Sequence, residues 1–280
     1  MHYVVLNLVA SSLFLIGIGI LYGLLGTLNL ADLALKIAEA DAERQPLLAA
    51  AGFLLLIVFG LKAAVLPLYF WLPSAYAAAT APVAALFAIM TKVGLYAIVR
   101  VFTLLFGSQA GGLAHLVDGL LWPLAMLTLA AGVIGALAVR SFERLIGYLV
   151  IVSVGTLLAG IALGTAASLS GALFYLIHSS WICAALFLLA DLVARQRGDL
   201  RGRLRTGPRL GNPLLLGALF FIAAVSVAGL PPFSGFLGKV MLLRAAGAGQ
   251  QALELWPVVL IGGLGTVSYT HLTLPTTPYV

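Results

Sequence analysis

Leu214-Leu-Leu-Gly-Ala-Leu-Phe-Phe-Ile-Ala-Ala-Val-Ser-Val-Ala-Gly229-Leu-Pro231-Pro232-Phe-Ser-Gly235-Phe-Leu-Gly-Lys239-Val-Met-Leu-Leu243 is the stretch on which the fold turns. It is apolar over more than the ~20 residues that a helix needs to cross a bilayer. Two consecutive prolines interrupt it, and proline removes a backbone donor and clashes with the preceding turn. A helix broken at membrane depth is tolerated only where its freed backbone groups line a cavity or are buried in protein. A lysine follows the break by eight residues, and an amine at the bilayer centre costs about 2.5–3.5 kcal/mol on insertion scales. This segment therefore predicts a discontinuous membrane helix kept for handling charge.

The rest of the chain has the same character. Its 280 residues are 62% hydrophobic and only 9% charged, with a mean hydropathy of +1.14, against about 25% charged in ordinary soluble domains. The fold class expected is all-α polytopic membrane protein, with about eight transmembrane helices of which two are broken. The spans are Val4–Leu28, Leu47–Leu66, Val83–Phe106, Leu120–Val139, Leu145–Leu163, Leu169–Leu189, Leu214–Leu243 and Leu255–Val267. No cleavable signal peptide is expected: the first span is too long for one and no basic segment precedes it. Residues 268–280 change character abruptly and read as a non-native tail, leaving 1–267 as the transmembrane domain.

The second span repeats the pattern of the seventh. It carries Lys62 and runs into Leu66-Pro67-Leu-Tyr-Phe-Trp-Leu-Pro73, so breaks are expected at Pro67 and Pro73, as at Pro231 and Pro232. The loop Arg195–Arg209 holds six arginines and one aspartate. Under the positive-inside rule it faces the cytoplasm, which accounts for most of the +6 net charge without nucleic-acid binding. Counting outward, Arg140–Arg144 also lies inside, whereas Asp32–Arg44, Gly107–Gly119 and Gly164–Ser168 lie outside. The two interrupted helices then run in opposite directions, as in an inverted repeat with paired discontinuous helices.

Three of the four lysines, Lys62, Lys92 and Lys239, fall inside apolar spans, while all nine acidic residues fall in loops or at span ends. No carboxylate of this sequence neutralises them mid-span. Burial makes an amine release its proton more readily, so such lysines can pass protons along waters and polar side chains; the other reading is a structural donor. Snorkelling suits only Lys239, the nearest of the three to a span end, and Lys36, in a charged amphipathic link, is expected to be simply solvated. His178 is mid-span beside Tyr175, Ser179 and Ser180. It is either the intermediate of a relay between lysines or a buried neutral histidine bonded to a carbonyl. Tyr69, Tyr76, Thr91, Tyr96 and Ser153 are candidates to line a hydrated path, and His115 with Asp118 a candidate exit. No Walker loop, dinucleotide fingerprint, cysteine cluster or haem-spaced histidine pair is present. No cofactor and no metal site is expected, and the energy source must be an ion gradient or a partner.

Gly60-Leu-Lys62-Ala-Ala-Val-Leu-Pro67-Leu-Tyr-Phe-Trp71-Leu-Pro73, Thr80-Ala-Pro82-Val-Ala-Ala-Leu, Thr91-Lys92-Val-Gly94-Leu-Tyr96 and Ala228-Gly-Leu-Pro-Pro-Phe-Ser-Gly235-Phe-Leu-Gly-Lys239 together carry a resemblance. The chain resembles the antiporter-like membrane subunits shared by respiratory complex I and the multisubunit Mrp-type sodium/proton antiporters, most closely the D-type Mrp subunits. The N-type complex I subunit is the near competitor. The resemblance implies a fourteen-helix protein with two inverted five-helix repeats, of which this sequence would begin at the sixth helix and stop within the thirteenth. It also implies a proton relay through Lys62, Lys92, His178 and Lys239; Tyr69, Thr91, Ser153, Tyr175 and Ser179 are, from their own positions in the sequence, the candidates beside its path. Lys239 argues against the M-type subunits, which have glutamate there. Tyr69 stands where many members have histidine, and the fifth-helix glutamate that pairs with Lys62 in the family lies upstream of this sequence. The partners implied are other subunits of a bacterial cell-membrane assembly, the lipid bilayer, protons and sodium. A small-solute carrier and a scaffold subunit without an ion path are the readings from other classes.

Overall fold

The computed structural model describes residues 2–200, 202–204 and 210–247. The eighth span, the tail and parts of the arginine-rich loop lie outside the described residues. Among the described residues ten α-helices follow one another: α1 (His2–Leu25), α2 (Leu30–Ala38), α3 (Gln45–Ala63), α4 (Trp71–Ala78), α5 (Ala81–Leu104), α6 (Asp118–Ala138), α7 (Phe142–Ala162), α8 (Ala166–Gln196), α9 (Pro213–Ala228) and α10 (Ser234–Gly247). Among the described residues the only extended pairing is an isolated bridge between Ser141 and Arg203. Six helices of the described residues are long and apolar enough to cross a membrane: α1, α3, α5, α6, α7 and α8. The seventh expected span is split, as its prolines require, into the shorter α9 and α10.

The bundle is built around α7. Residues along nearly its whole length are buried, from Phe142 to Ile161, and α6 packs on it most extensively. Close approach is possible because a Cβ at Gly155 would lie 2.6 Å from the Leu129 backbone nitrogen, so only glycine fits. The periphery is the reverse of a soluble protein's. Leu86, Ile134, Ile177 and Trp181 are largely exposed, as suits side chains that meet lipid.

The two ends of the bundle agree with the order of loops expected from charge. At one end Phe142 N–H donates to the Gly202 carbonyl (2.8 Å) and Leu204 N–H to that of Arg140 (3.0 Å), which puts Arg140–Arg144 beside the arginine-rich loop. At the other end Gly111 abuts the Ala38 carbonyl and Gly112 the Gln45 side chain, so the segments assigned to the opposite face lie together. Because α3 begins at Gln45 and α9 begins next to the Gly211 to Gln196 hydrogen bond (2.9 Å), the two broken helices start from opposite ends.

Three expectations need correction. Pro73 does not break a helix; it is the third residue of α4, where first-turn N–H groups have no intrahelical acceptor and proline costs little. The break lies instead between Ala64 and Phe70 around Pro67. The link holding Lys36 is a helix, α2, capped by the Asn29 side chain accepting from Ala31 N–H (3.0 Å), with Leu33 and Ile37 buried one turn apart. Lys36 is not simply solvated: its amine donates to the Leu25 carbonyl at the end of α1 (2.9 Å) and pairs with Asp32 (3.2 Å).

Candidate functional site

The first break follows from three local facts. Pro67 cannot donate to the Ala63 carbonyl four residues earlier. Ala64 takes a left-handed conformation (φ 58°) that closes α3, with Val65 N–H folding back to the Gly60 carbonyl (2.8 Å). The Leu66 N–H is met by the Thr128 hydroxyl of α6 (3.0 Å), and the Leu61 carbonyl by the Trp71 indole (3.2 Å). Lys62 sits one residue before the end of α3, half-buried, and donates to the Asn7 side-chain oxygen of α1. Asn7 was not legible as a partner, being 55 positions away in an otherwise apolar span.

Lys92 lies deeper. It is 1% exposed and donates to the Ser153 hydroxyl of α7 at 2.7 Å, and Ser153 donates its own proton to the Val150 carbonyl (2.6 Å). The α3–α5 crossing brings Lys62 and Lys92 to adjoining levels: a Cβ at Gly94 would lie 2.9 Å from the Ala63 nitrogen. Around Lys92 stand Thr91, whose hydroxyl bonds the Ala88 carbonyl (2.9 Å), and the buried Cys183. Tyr76 is also buried and donates to the Phe87 carbonyl of α5.

The second break is made by Pro231 and Pro232, which would have supplied the N–H groups for the Val227 and Ala228 carbonyls had α9 continued. Gly229 (φ 77°) ends α9, returning its N–H to Val225 (3.1 Å). Lys239, from the second turn of α10, supplies the missing donors: its amine lies 2.7 Å from the Ala228 carbonyl and 3.1 Å from that of Val227. It does not snorkel. Both breaks contain a cis peptide bond, Leu66–Pro67 and Pro231–Pro232.

His178 joins this second group. Its Nδ1 meets the Ser234 hydroxyl at the start of α10 (2.8 Å), and its buried Nε2 has no hydrogen-bond partner. Nε2 faces the Ser226 carbonyl across Gly235 at a geometry short of a hydrogen bond. Tyr175, one turn earlier on α8, is buried with its ring centroid 5.9 Å from that of His178.

The remaining candidates divide. Ser179 is buried but bonds the Leu176 carbonyl of its own helix (3.2 Å). Tyr69 lies in the first break, half-buried and stacked on Phe70 at 4.5 Å. Tyr96 is 48% exposed on the outer face of α5, so it lines no internal path. His115 and Asp118 form an exposed pair, Nδ1 to carboxylate oxygen 2.7 Å, at the end of the bundle away from the arginines. At the arginine end a cavity of about 560 Å³ opens between the α4–α5 turn, Glu143 and the end of α8, with Tyr76 in its wall.

A broken pair of antiparallel helices, each with a lysine in its apolar run, is the arrangement of discontinuous helices on which many transporter folds are built. The chain belongs to the NADH:quinone oxidoreductase/Mrp antiporter transmembrane family, whose model matches residues 1–266. It is 46% identical over 265 residues to the D-type subunit of the Na(+)/H(+) antiporter of Bacillus subtilis, covering 94% of this chain and 52% of that one. It is 44% identical to the D-type subunit of a probable K(+)/H(+) antiporter of Rhizobium meliloti, covering 98% and 53%. It therefore spans about half the length of the curated relatives it matches. Among solved structures it superposes on a chain of the Mrp complex from Dietzia sp. (TM-score 0.75, 30% identity, 98% of this chain and 48% of that chain). It also superposes on a chain of respiratory complex I from Thermus thermophilus (TM-score 0.82, 25% identity, 99% and 58%).

Proposed function

We propose that this chain is part of a proton-translocating subunit of a multisubunit monovalent cation/proton antiporter in a bacterial cell membrane, exchanging sodium. The observation that carries this reading is the company the amines keep. Lys62, Lys92 and Lys239 donate to an amide oxygen, a hydroxyl and two peptide carbonyls, and among the described residues no carboxylate pairs with any of them. An amine held by neutral dipoles in a packed interior, as Lys92 and Lys239 are here, can change protonation without breaking an ion pair. Protons would pass among Lys62, Lys92, His178 and Lys239 through buried water, with Thr91, Ser153 and Tyr175 beside the path. Two unit charges ~10 Å apart at an effective dielectric near 20 interact by about 1.7 kcal/mol, enough to change a neighbour's proton affinity roughly tenfold. The arginine-rich loop would face the cytoplasm, and the cavity beside Tyr76 and Glu143 would admit water from that side.

An N-type membrane subunit of a complex I-like NADH:quinone oxidoreductase is the second reading. It is favoured by the higher TM-score to the complex I chain than to the Mrp chain. Sequence identity favours the antiporter, and identity discriminates between branches of one fold better than overall shape does. On either reading the subunit moves ions and carries no redox centre of its own. To decide, the full-length subunit is reconstituted with its partners and Lys62 or Lys239 replaced by alanine. Loss of ΔpH-driven sodium exchange is expected, and undiminished exchange would reject the relay.

A further inference from the structure

The last four carbonyls of α9 are not satisfied alike. Val225 and Ser226 accept backbone N–H groups from Gly229, at 3.1 and 3.2 Å, and Leu230 also donates to Val225. Val227 and Ala228 would look to residues 231 and 232, both proline, so neither has a main-chain donor. Among the described residues only the Lys239 amine serves them. A positive charge thus sits on two convergent peptide oxygens at the C-terminal end of a broken helix, where the helix dipole favours a cation. Broken helices in ion-coupled transporters offer metal ions this kind of ligand.

We infer that the Val227 and Ala228 carbonyls form a monovalent cation site, and that the Lys239 ammonium and the transported ion occupy it in turn. This rests on the antiporter reading and names the cation's seat within it. The ammonium here is a tethered stand-in for a small alkali ion. Its stem lies over Gly229, where a Cβ would come within 2.6 Å of the lysine Cδ, and the flexible four-carbon chain lets it swing aside. The site holds one positive charge at a time, because two unit charges ~4 Å apart at an effective dielectric of 20 repel by about 4 kcal/mol. No carboxylate among the described residues pairs with the amine there. A neutral set of carbonyl and water oxygens suits a monovalent ion, whereas calcium and magnesium are usually taken by carboxylates.

Thallium(I), an electron-dense monovalent probe, tests this in the full-length protein within its assembly. Binding is measured by equilibrium dialysis and located in cryo-EM maps taken in thallium and in choline. Lys239→Ala is expected to bind one further thallium ion per subunit, with density between the two carbonyls. Lys239→Arg, which refills the site with a cation, should show none. In the wild type, high thallium should place density there with the amine displaced. Empty carbonyls in Lys239→Ala, or thallium bound while the amine remains in place, overturn the inference. Should Lys239→Ala fail to assemble, the wild-type map decides alone: an amine unmoved at saturating thallium refutes it. The relay reading fails separately. If exchange survives in Lys239→Ala while thallium binds, the site stands and the relay does not; lost exchange with no bound thallium gives the converse.

Discussion

At the scale of single residues, Lys62 and Lys92 each donate to one neutral side chain, and each of those side chains can be removed. Ser153 is the sharpest case because Lys92 is 1% exposed and donates to it at 2.7 Å. Ser153→Ala strands a buried donor, which costs about 1–3 kcal/mol and more if charged. A matching loss of stability is expected in thermal unfolding of the purified assembly. Exchange should slow by about tenfold or more, since 1.4 kcal/mol on a barrier is a factor of about ten. Ser153→Thr keeps the hydroxyl and should restore most of both. Asn7→Leu makes the same test at Lys62: ΔpH-driven exchange should fall, whereas Asn7→Asp supplies an acceptor and should retain binding of the amine but alter the pH profile of exchange. Lysines at membrane depth were legible because their cost is visible in any apolar run. Their partners were legible only in part: Ser153 stands among the path-lining candidates without being assigned to Lys92, and Asn7 does not stand out at all. Asn7 and Ser153 lie 55 and 61 positions from the amines they serve, and single amides and hydroxyls are common enough in membrane helices to carry no signal of their own.

At the scale of elements, the two breaks are similar in proline chemistry but differ in how they close. The first is closed on its N–H side from another helix, Thr128 of α6 on Leu66 N–H, and on its carbonyl side by the Trp71 indole at the start of α4 on the Leu61 carbonyl. The second is closed by its own following helix, through Lys239. Removing a closure should therefore have different consequences. Thr128→Val leaves the Leu66 N–H unpaired and is expected to lower stability by about 1–3 kcal/mol, read as a fall in Tm, with the amines still in place. Gly229→Ala places a Cβ on a residue at φ 77° and against the Lys239 stem. The left-handed conformation alone costs about 1–2 kcal/mol, and the displaced amine should abolish exchange nearly as fully as Lys239→Ala does. Prolines announced both breaks, yet Pro73 misled, since a proline in the first turn of α4 and one in mid-helix look alike until the helix start is known. The short α2 is amphipathic in the sequence, but at nine residues it is too short to cross a membrane and so falls among the links.

At the scale of the molecule, the fold was legible to the extent that membrane insertion dictates it: long apolar spans, arginines on one side, and antiparallel broken helices. Which span occupies the centre was not, because the hydropathy of α7 lies within the range of the other spans, while the glycines that let α6 close on it are scattered through the chain. Sidedness follows from the same physics. The hydrogen bonds tying Phe142 to Gly202 and Leu204 to Arg140 hold two arginine-bearing segments at one end, while Ala38, Gly111 and Gly112 meet at the other. If positive charge sets orientation, Ser108, exposed beside the second group, faces outward, and Gln196, at the arginine end of α8, faces the cytoplasm. The sole cysteine, Cys183, is buried, so single introduced cysteines can be read over little background. In intact cells a membrane-impermeant maleimide should label Ser108→Cys and spare Gln196→Cys, and in inverted vesicles the pattern should reverse. Labelling of both from one side would mean that the bundle does not span the bilayer in this frame. The opposite pattern would place the arginine-rich loop outside, together with the cavity that lies beside Tyr76.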